Sequence, residues 1–367
     1  MKALAQPPEI TWGDADGLVQ KVYYEGEPFL GKPTRVFAYY GRPAEGDGPF
    51  PAVLLVHGGG GRAFDAWARH WAARGYVALA MDLAGCGPAG RLPDGGPNQG
   101  HPAKFSDHID GNLKDMWTYH AVAAIIRGHT LLAARPEVDA DRIAMTGISW
   151  GGYLTCIVAG LDDRLKAAVP VYGCGFLHEN SCWTAGSLAQ LTDEQRASWV
   201  EHFDPSQYLP GARRPMLWVN GTNDFAYPLD SYKKSYRAAP GPNALAITIR
   251  RRHGHIWTFP EVDAFIDSIL KKDVKPLAKI GEMISDEAGV VLASVESEVP
   301  IKSAELIYTT DEGVWQKRNW VSMPATICER TVTAKLPTPR PTVYYINVTD
   351  ERGLTVSTPH AMFGADH

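Results

Sequence analysis

Residues 141–160, DRIAMTGISWGGYLTCIVAG, join two apolar runs of different character through a glycine-flanked serine. DRIAMTG has the length of a short buried strand, whereas SWGGYLTCIVAG has helical spacing and begins at the serine itself. Gly147, Ser149 and Gly151 form G-x-S-x-G between that strand and that helix, the context in which the motif carries chemistry. The turn forces its central residue into a strained conformation, and small residues on both sides let neighbouring backbones approach. Ser149 Oγ then stands at a helix N-terminus, where unpaired N–H groups and the helix dipole favour an anion developing during acyl transfer. Ser149 is the candidate nucleophile.

Working outward, PAVLLVHGGGG reads as a buried strand, Ala52 to Val56, running into a glycine loop. Gly58 and Gly59 leave backbone N–H groups accessible where a second oxyanion donor is needed, and Trp150 offers the first through its own N–H. A phosphate cradle would require a lysine in the G-K-[ST] arrangement, and none follows. FDAWARHWAARG and LKDMWTYHAVAAIIRGHTLLAA read as helices, and YVALAMDLAG, LKAAVPVYG, RRPMLWVNG and ALAITIRR as strands, before the helix PEVDAFIDSILKK. This alternation predicts a mostly parallel sheet with flanking helices. Two β-like runs within residues 1–50, LVQKVYYEG and TRVFAYYGRP, read as an antiparallel extension. The stretch from Gly85 to His108 is rich in Gly, Pro and polar residues and long enough to read as a functional loop. A second insertion, Phe176 to Pro210, holds Trp183 and Trp199.

Asp224 lies just past one strand, in GTND, and RRHGHIWTF follows the next. Ser, then Asp, then His is the order expected of a hydrolase on an α/β sheet. Both His253 and His255 compete for the third place.

HGGGG, GISWGG, GTND and GHIW together resemble the α/β-hydrolase superfamily, and within it the dienelactone-hydrolase, acetyl-xylan-esterase and prolyl-oligopeptidase-like branch, over about residues 50 to 270. The resemblance implies Ser149 as nucleophile, Asp224 as the acid, His255 as the base through its G-H-x-W setting, and Trp150 as an oxyanion donor. It also implies a cofactor-free acyl-enzyme mechanism with no metal. Serine stands here where dienelactone hydrolases carry cysteine, and the R-G-Q and His-Glu features of one acetyl-xylan-esterase type are missing. About fifty residues precede HGGGG, leaving no room in this sequence for the propeller of oligopeptidases. The expected activity is therefore that of a serine carboxylic-ester hydrolase, first a carbohydrate O-acetyl esterase. Behind it stand other small-ester, lactone or feruloyl hydrolases, then a peptidase, then a non-catalytic binding protein. Trp183 and Trp257 are candidate platforms for a sugar or aromatic acyl group, with His178 as a polar contact.

Past Lys275 the composition changes to short alternating runs, VVLASVES, SAELIYTTD, RTVTAKLP and TVYYINVTD, separated by turn residues. These predict a small all-β sandwich of the immunoglobulin or fibronectin III kind over residues 275–367, appended to a catalytic domain over 1–274. Formal charge is only −5 over 367 residues, without a long basic run, so nucleic acid is excluded as a partner. No segment is apolar for long enough to span a bilayer, and the N-terminus lacks an apolar leader core, which together read as cytoplasmic unless an export signal has been removed. The expected partner is a small-molecule or carbohydrate ester, with homo-oligomerisation open. The five cysteines lack metal-site spacing and read mostly as buried thiols, Cys174 and Cys182 being able to bridge only in an oxidising compartment.

Overall fold

The apolar runs on either side of the glycine loop pair in parallel, and the sheet grows from them. The computed structural model describes residues 2–363. Strands β1 (Ile10–Asp16), β2 (Val19–Glu25) and β3 (Arg35–Gly41) form the expected antiparallel extension. They lead into β4 (Phe50–Val56), β5 (Val77–Met81), β6 (Val138–Ile148), β7 (Ala167–Val171), β8 (Met216–Gly221) and β9 (Asn243–Thr248). The spatial order is β1-β2-β3-β5-β4-β6-β7-β8-β9; the strands from β5 to β9 in that order are parallel to one another, and β3 is antiparallel to β5. Every residue of β5, β7 and β8 is buried, as expected of strands covered on both faces.

Helices supply that cover. Trp67 and Trp71 of α1 (Asp65–Ala73) join one hydrophobic layer, which also takes in Val262 and Ile266 of the helix after β9. The opposite layer holds α2 (Trp117–Ala133) and α3 (Trp150–Leu161), both buried along most of their length. The last helix, α4 (Pro260–Leu270), ends just before Lys271 and Lys272. Fully burying one such large side chain contributes about 2–3 kcal/mol, so Trp71 and Trp117, each at most 2% exposed, anchor opposite faces.

The C-terminal strands form the β-rich region that the sequence predicts, and they continue the central sheet. Here β10 (Val290–Glu296) pairs with β13 (Thr331–Lys335), while β11 (Ile301–Thr309) lies between β12 (Val321–Pro324) and β14 (Val343–Asp350). β14 pairs with β15 (Thr355–Ser357), and β15 pairs with β9, opposing Leu245 to Ser357. One continuous sheet therefore crosses the boundary placed at residue 275. Side chains stitch the join: Ser357 Oγ accepts from Ile247 N (2.8 Å) and donates to Asn347 Oδ1 (2.6 Å), and Asn347 Nδ2 donates to the Ile247 carbonyl (3.1 Å). The physical reason is the edge of β9, whose unpaired backbone groups the C-terminal strands cover. Both apolar layers also extend into this region, one through Ile307, Trp315 and Tyr345, the other through Leu306, Ile346 and Val348.

All five cysteines are free; Cys156 and Cys174 are buried, Cys86 is half-buried, and Cys182 and Cys328 are exposed, so fewer are core thiols than expected. Among the described residues no helix is long and apolar enough to cross a membrane.

A chain ending at Lys272 would expose the β9 edge and an apolar face together. It is expected to partition into the insoluble fraction on expression. A soluble truncation melting cooperatively near the temperature of the full chain would show that the two parts fold independently.

Candidate active site

The strained turn appears where the motif requires it. Ser149 has φ 60° and ψ −118°, immediately before α3, and is 7% exposed. A β-carbon on Gly151 would lie 2.1 Å from the Val56 carbonyl oxygen, and one on Gly147 would lie 2.2 Å from the Gly151 carbonyl oxygen. No larger residue fits either place without moving backbone. Ser149 N–H donates to the Val171 carbonyl (2.9 Å), tying the turn to the end of β7. Ser149 Oγ makes no hydrogen bond among the described residues and can rotate.

Asp224 follows β8 and is 3% exposed. Its Oδ1 accepts from Ala226 N (2.9 Å) and Tyr227 N (2.8 Å), and its Oδ2 accepts from His253 Nδ1 (2.7 Å). The expected Asp224–His255 pair is therefore corrected: the imidazole on the carboxylate belongs to His253. The His253 ring stacks on Tyr172 with centroids 4.2 Å apart, and Tyr172 directly follows the residue whose carbonyl holds Ser149. The Tyr172 hydroxyl donates to the Gly254 carbonyl (2.6 Å) and accepts from Gly254 N (3.2 Å). It thus clamps the residue between the two histidines, and they diverge there.

His255 turns toward the glycine loop. Its Nε2 accepts from Gly58 N (3.0 Å), its carbonyl accepts from Trp67 Nε1 (3.0 Å), and its ring packs on Phe64 at 5.3 Å. A β-carbon on Gly58 would meet Ser149 Cβ at 2.8 Å and His255 Nε2 at 2.9 Å, so Gly58 is wedged between Ser149 and the His255 imidazole. Burial lowers the pKa of His255, and the neighbouring His253 charge lowers it further, which keeps Nε2 free to accept.

The two loop glycines differ in consequence. Gly58 N–H is occupied by His255, which corrects its expected place among the oxyanion donors. The Gly58 carbonyl accepts from His57 Nδ1 (2.8 Å) and Gly61 N (3.0 Å), and His57 Nε2 accepts from Leu83 N (2.9 Å). A trans peptide points its C=O and N–H in opposite directions, so anchoring the Gly58 carbonyl turns Gly59 N–H the other way. Gly59 N–H has no acceptor among the described residues. Trp150 N–H is the first of α3, where no intrahelical acceptor exists.

Of the expected sugar platforms Trp183 is buried and Trp257 half-buried, and both pack against other rings. Trp183 is 5% exposed, lies 4.5 Å from the Trp150 ring, and donates through Nε1 to His101 Nε2 (3.3 Å). Trp257 packs among Trp67, His70 and Trp71 and donates to Asp263 Oδ1 (3.0 Å). His178 lies with Nδ1 3.7 Å from Asp204 Oδ2, which raises its pKa, and so belongs to the polar support of the insertion. The open aromatic face beside the imidazole is Phe225, 57% exposed and 4.7 Å from the His253 ring.

Lys104, from the 85–108 loop, had no motif to mark it. Its Nζ lies 4.7 Å from the Trp117 and Trp150 rings, donates to the Gln99 carbonyl (2.5 Å), and would lie 3.8 Å from a β-carbon on Gly59. Burial pushes its pKa down to about 7. No cluster of three or more metal-ligating side chains occurs among the described residues.

Strand order, nucleophile turn and the carboxylate and imidazole at the strand ends define an α/β-hydrolase. The acetyl xylan esterase family matches residues 17–185, and the family of PhoPQ-activated pathogenicity-related proteins matches residues 171–312. A putative carboxymethylenebutenolidase of Escherichia coli O157:H7 is 31% identical over 225 residues, which cover 60% of this chain and 72% of that protein. An acetyl esterase of Xylanibacter ruminicola, Axe7A, is 23% identical over 65% of this chain and 56% of its own length. The acetyl xylan esterase from Paenibacillus sp. R4 shares the fold, with TM-score 0.62 and 23% identity over 73% of this chain and 92% of that one. The chain belongs to the branch of the α/β-hydrolase superfamily that contains the dienelactone hydrolases and acetyl xylan esterases, and is an enzyme of the esterase type.

The neutral histidines make stability depend on pH. Burial holds His57 down to about 4, and His255 is lowered in the same direction. The unfolded chain then binds protons that the folded chain does not, so stability is complete above about pH 6.5 and declines as pH falls below it. At pH 5 the His57 contribution alone is a loss of about 2 kcal/mol. Tm measured by calorimetry should fall between pH 7 and pH 5, less steeply in His57→Gln. A flat Tm across that range would contradict the assigned tautomers.

Proposed function

We propose that the protein is a serine carboxylic-ester hydrolase in which Ser149 attacks, His253 is the general base and Asp224 orients that base. The observation that carries this reading is the 2.7 Å bond from His253 Nδ1 to Asp224, with the His253 ring stacked on Tyr172, the residue after the Val171 carbonyl that holds Ser149 N–H. With Nδ1 committed to the carboxylate, His253 Nε2 has its lone pair available for the serine proton. His255 Nε2 is already occupied by Gly58 N–H, which argues against it as base.

In the proposed cycle His253 takes the Ser149 proton as Oγ adds to the ester carbonyl. The oxyanion is met by Gly59 N–H and Trp150 N–H; losing one such donor typically costs about 3 kcal/mol of transition-state stabilisation. His253 returns the proton to the leaving alcohol, and an acyl-enzyme remains. Water, deprotonated by the same imidazole, releases the acid.

The acyl group we favour is acetyl, on a carbohydrate alcohol. Support comes from the acetyl xylan esterase family match. Phe225 offers its open ring to the alcohol half. A second reading, lactone hydrolysis, is favoured by the match to the putative carboxymethylenebutenolidase.

Ser149→Ala should abolish both p-nitrophenyl acetate hydrolysis and labelling by a fluorophosphonate while leaving the fold intact. His253→Ala should lower kcat about a thousandfold or more, whereas His255→Ala, acting through Gly58, should lower it about tenfold. The reverse ranking would return the base to His255. Acetylated sugars should be cleaved faster than octanoyl esters, and the opposite preference would sink the acetyl reading.

A further inference from the structure

Two strand-end loops carry Asp224 and His253, and both are held from outside by one segment of the C-terminal region. Residues 313–319, between β11 and β12, place three carbonyl oxygens around a single amide. Asn223 Nδ2 donates to the carbonyls of Arg318 (2.8 Å), Gln316 (3.2 Å) and Trp315 (3.4 Å). Asn223 is the residue before Asp224. On the other side of Asp224, Gln316 Nε2 donates to the Phe225 carbonyl (3.3 Å). The acid is thus bracketed by contacts to the same segment.

The second loop is reached in two ways. Asn223 Oδ1 accepts from Thr222 Oγ1 (2.7 Å), which itself accepts from Arg250 N (3.0 Å), three residues before His253. Arg250 Nη2 also donates directly to Asn319 Oδ1 (3.3 Å). The segment is firmly seated: Trp315 is buried and packs beside Trp320, the Arg318 guanidinium lies 3.9 Å from the Trp315 ring, and Asp311 Oδ2 accepts from Asn319 N (2.7 Å) and Nδ2 (3.1 Å).

We propose that segment 313–319 of the C-terminal β region is a positioning element of the hydrolytic site, acting through Asn223 to hold Asp224 against His253. This rests on the Ser149–His253–Asp224 reading. A carboxylate orients an imidazole only while its own loop is fixed, and small displacements of a catalytic group are expensive in rate. Neither the sheet join at β9 nor the apolar layers explain why three carbonyls converge on one side chain beside the acid. The segment also seats Phe225, whose ring lies on His253. The C-terminal region therefore completes the site without lending it a reacting group.

The test uses the full chain. Asn223→Ala should lower kcat on p-nitrophenyl acetate about tenfold with KM changed less than about twofold. The downfield proton resonance of the His253 Nδ1–H bond should weaken or disappear at the same time. The surface double variant Gln316→Ala/Asn319→Ala, which removes no buried group, should lower kcat about threefold in the same pattern and serves if Asn223→Ala does not fold. Val332→Ala, which opens the C-terminal core away from the segment, should lower Tm but leave kcat and the resonance at wild-type values. Wild-type kcat and resonance in Asn223→Ala, or in the double variant when only that one folds, overturn the proposal. So does an equal kcat loss in Val332→Ala. A wild type that loses activity on Ser149→Ala but not in these variants sinks this inference alone, whereas a wild type that neither labels nor cleaves sinks the hydrolase reading with it.

Discussion

The approach of Gly151 to the Val56 carbonyl sets the geometry of the rest. With an added β-carbon only 2.1 Å from that oxygen, the first turn of α3 lies directly on the end of β4. The chain leaving β4 then continues as the His57–Gly61 loop, which sets Gly58 against Ser149 and Gly59 against the Trp150 side chain. A methyl group at either motif glycine would force backbone apart at the turn between strand and helix. The strain at Ser149 is maintained because the surrounding backbone leaves the turn no alternative.

Neutral imidazoles control where the loop's N–H groups point. His57 donates to the Gly58 carbonyl through Nδ1 and accepts from Leu83 N through Nε2, while His255 accepts Gly58 N–H. Protonating either ring would place a donor against a donor. Burial prevents this near neutral pH by disfavouring the charged forms. The buried Lys104 amine lies between the Trp117 and Trp150 rings, beside Gly59, where burial disfavours its charged form.

The continuous sheet links this chemistry to the C-terminal strands. β15 closes the β9 edge, and the strands beyond it carry the segment that grips Asn223. The 2.8 Å contact from Asn223 to the Arg318 carbonyl therefore lies on the same sheet join. Closing the edge and bracing the acid loop follow from the same join.

Much was legible in the chain alone. Alternating apolar periods determined the α/β sheet, the turn at Ser149 and the later β-rich region, because each is a local pattern of burial and backbone freedom. GTND placed Asp224 in the same way, in a polar loop after an apolar strand, where the structure has it. The choice between His253 and His255 was not local: they are two residues apart in one polar loop, and the Tyr172 clamp on Gly254, from 82 residues away, sends them in different directions. Trp183 and Trp257 looked like platforms because sequence gives a ring's chemistry but not which face is already covered. The sheet's continuation past residue 275 was illegible for a related reason, since whether a strand edge is capped by solvent or by strands about a hundred residues later depends on pairing that only the folded chain decides.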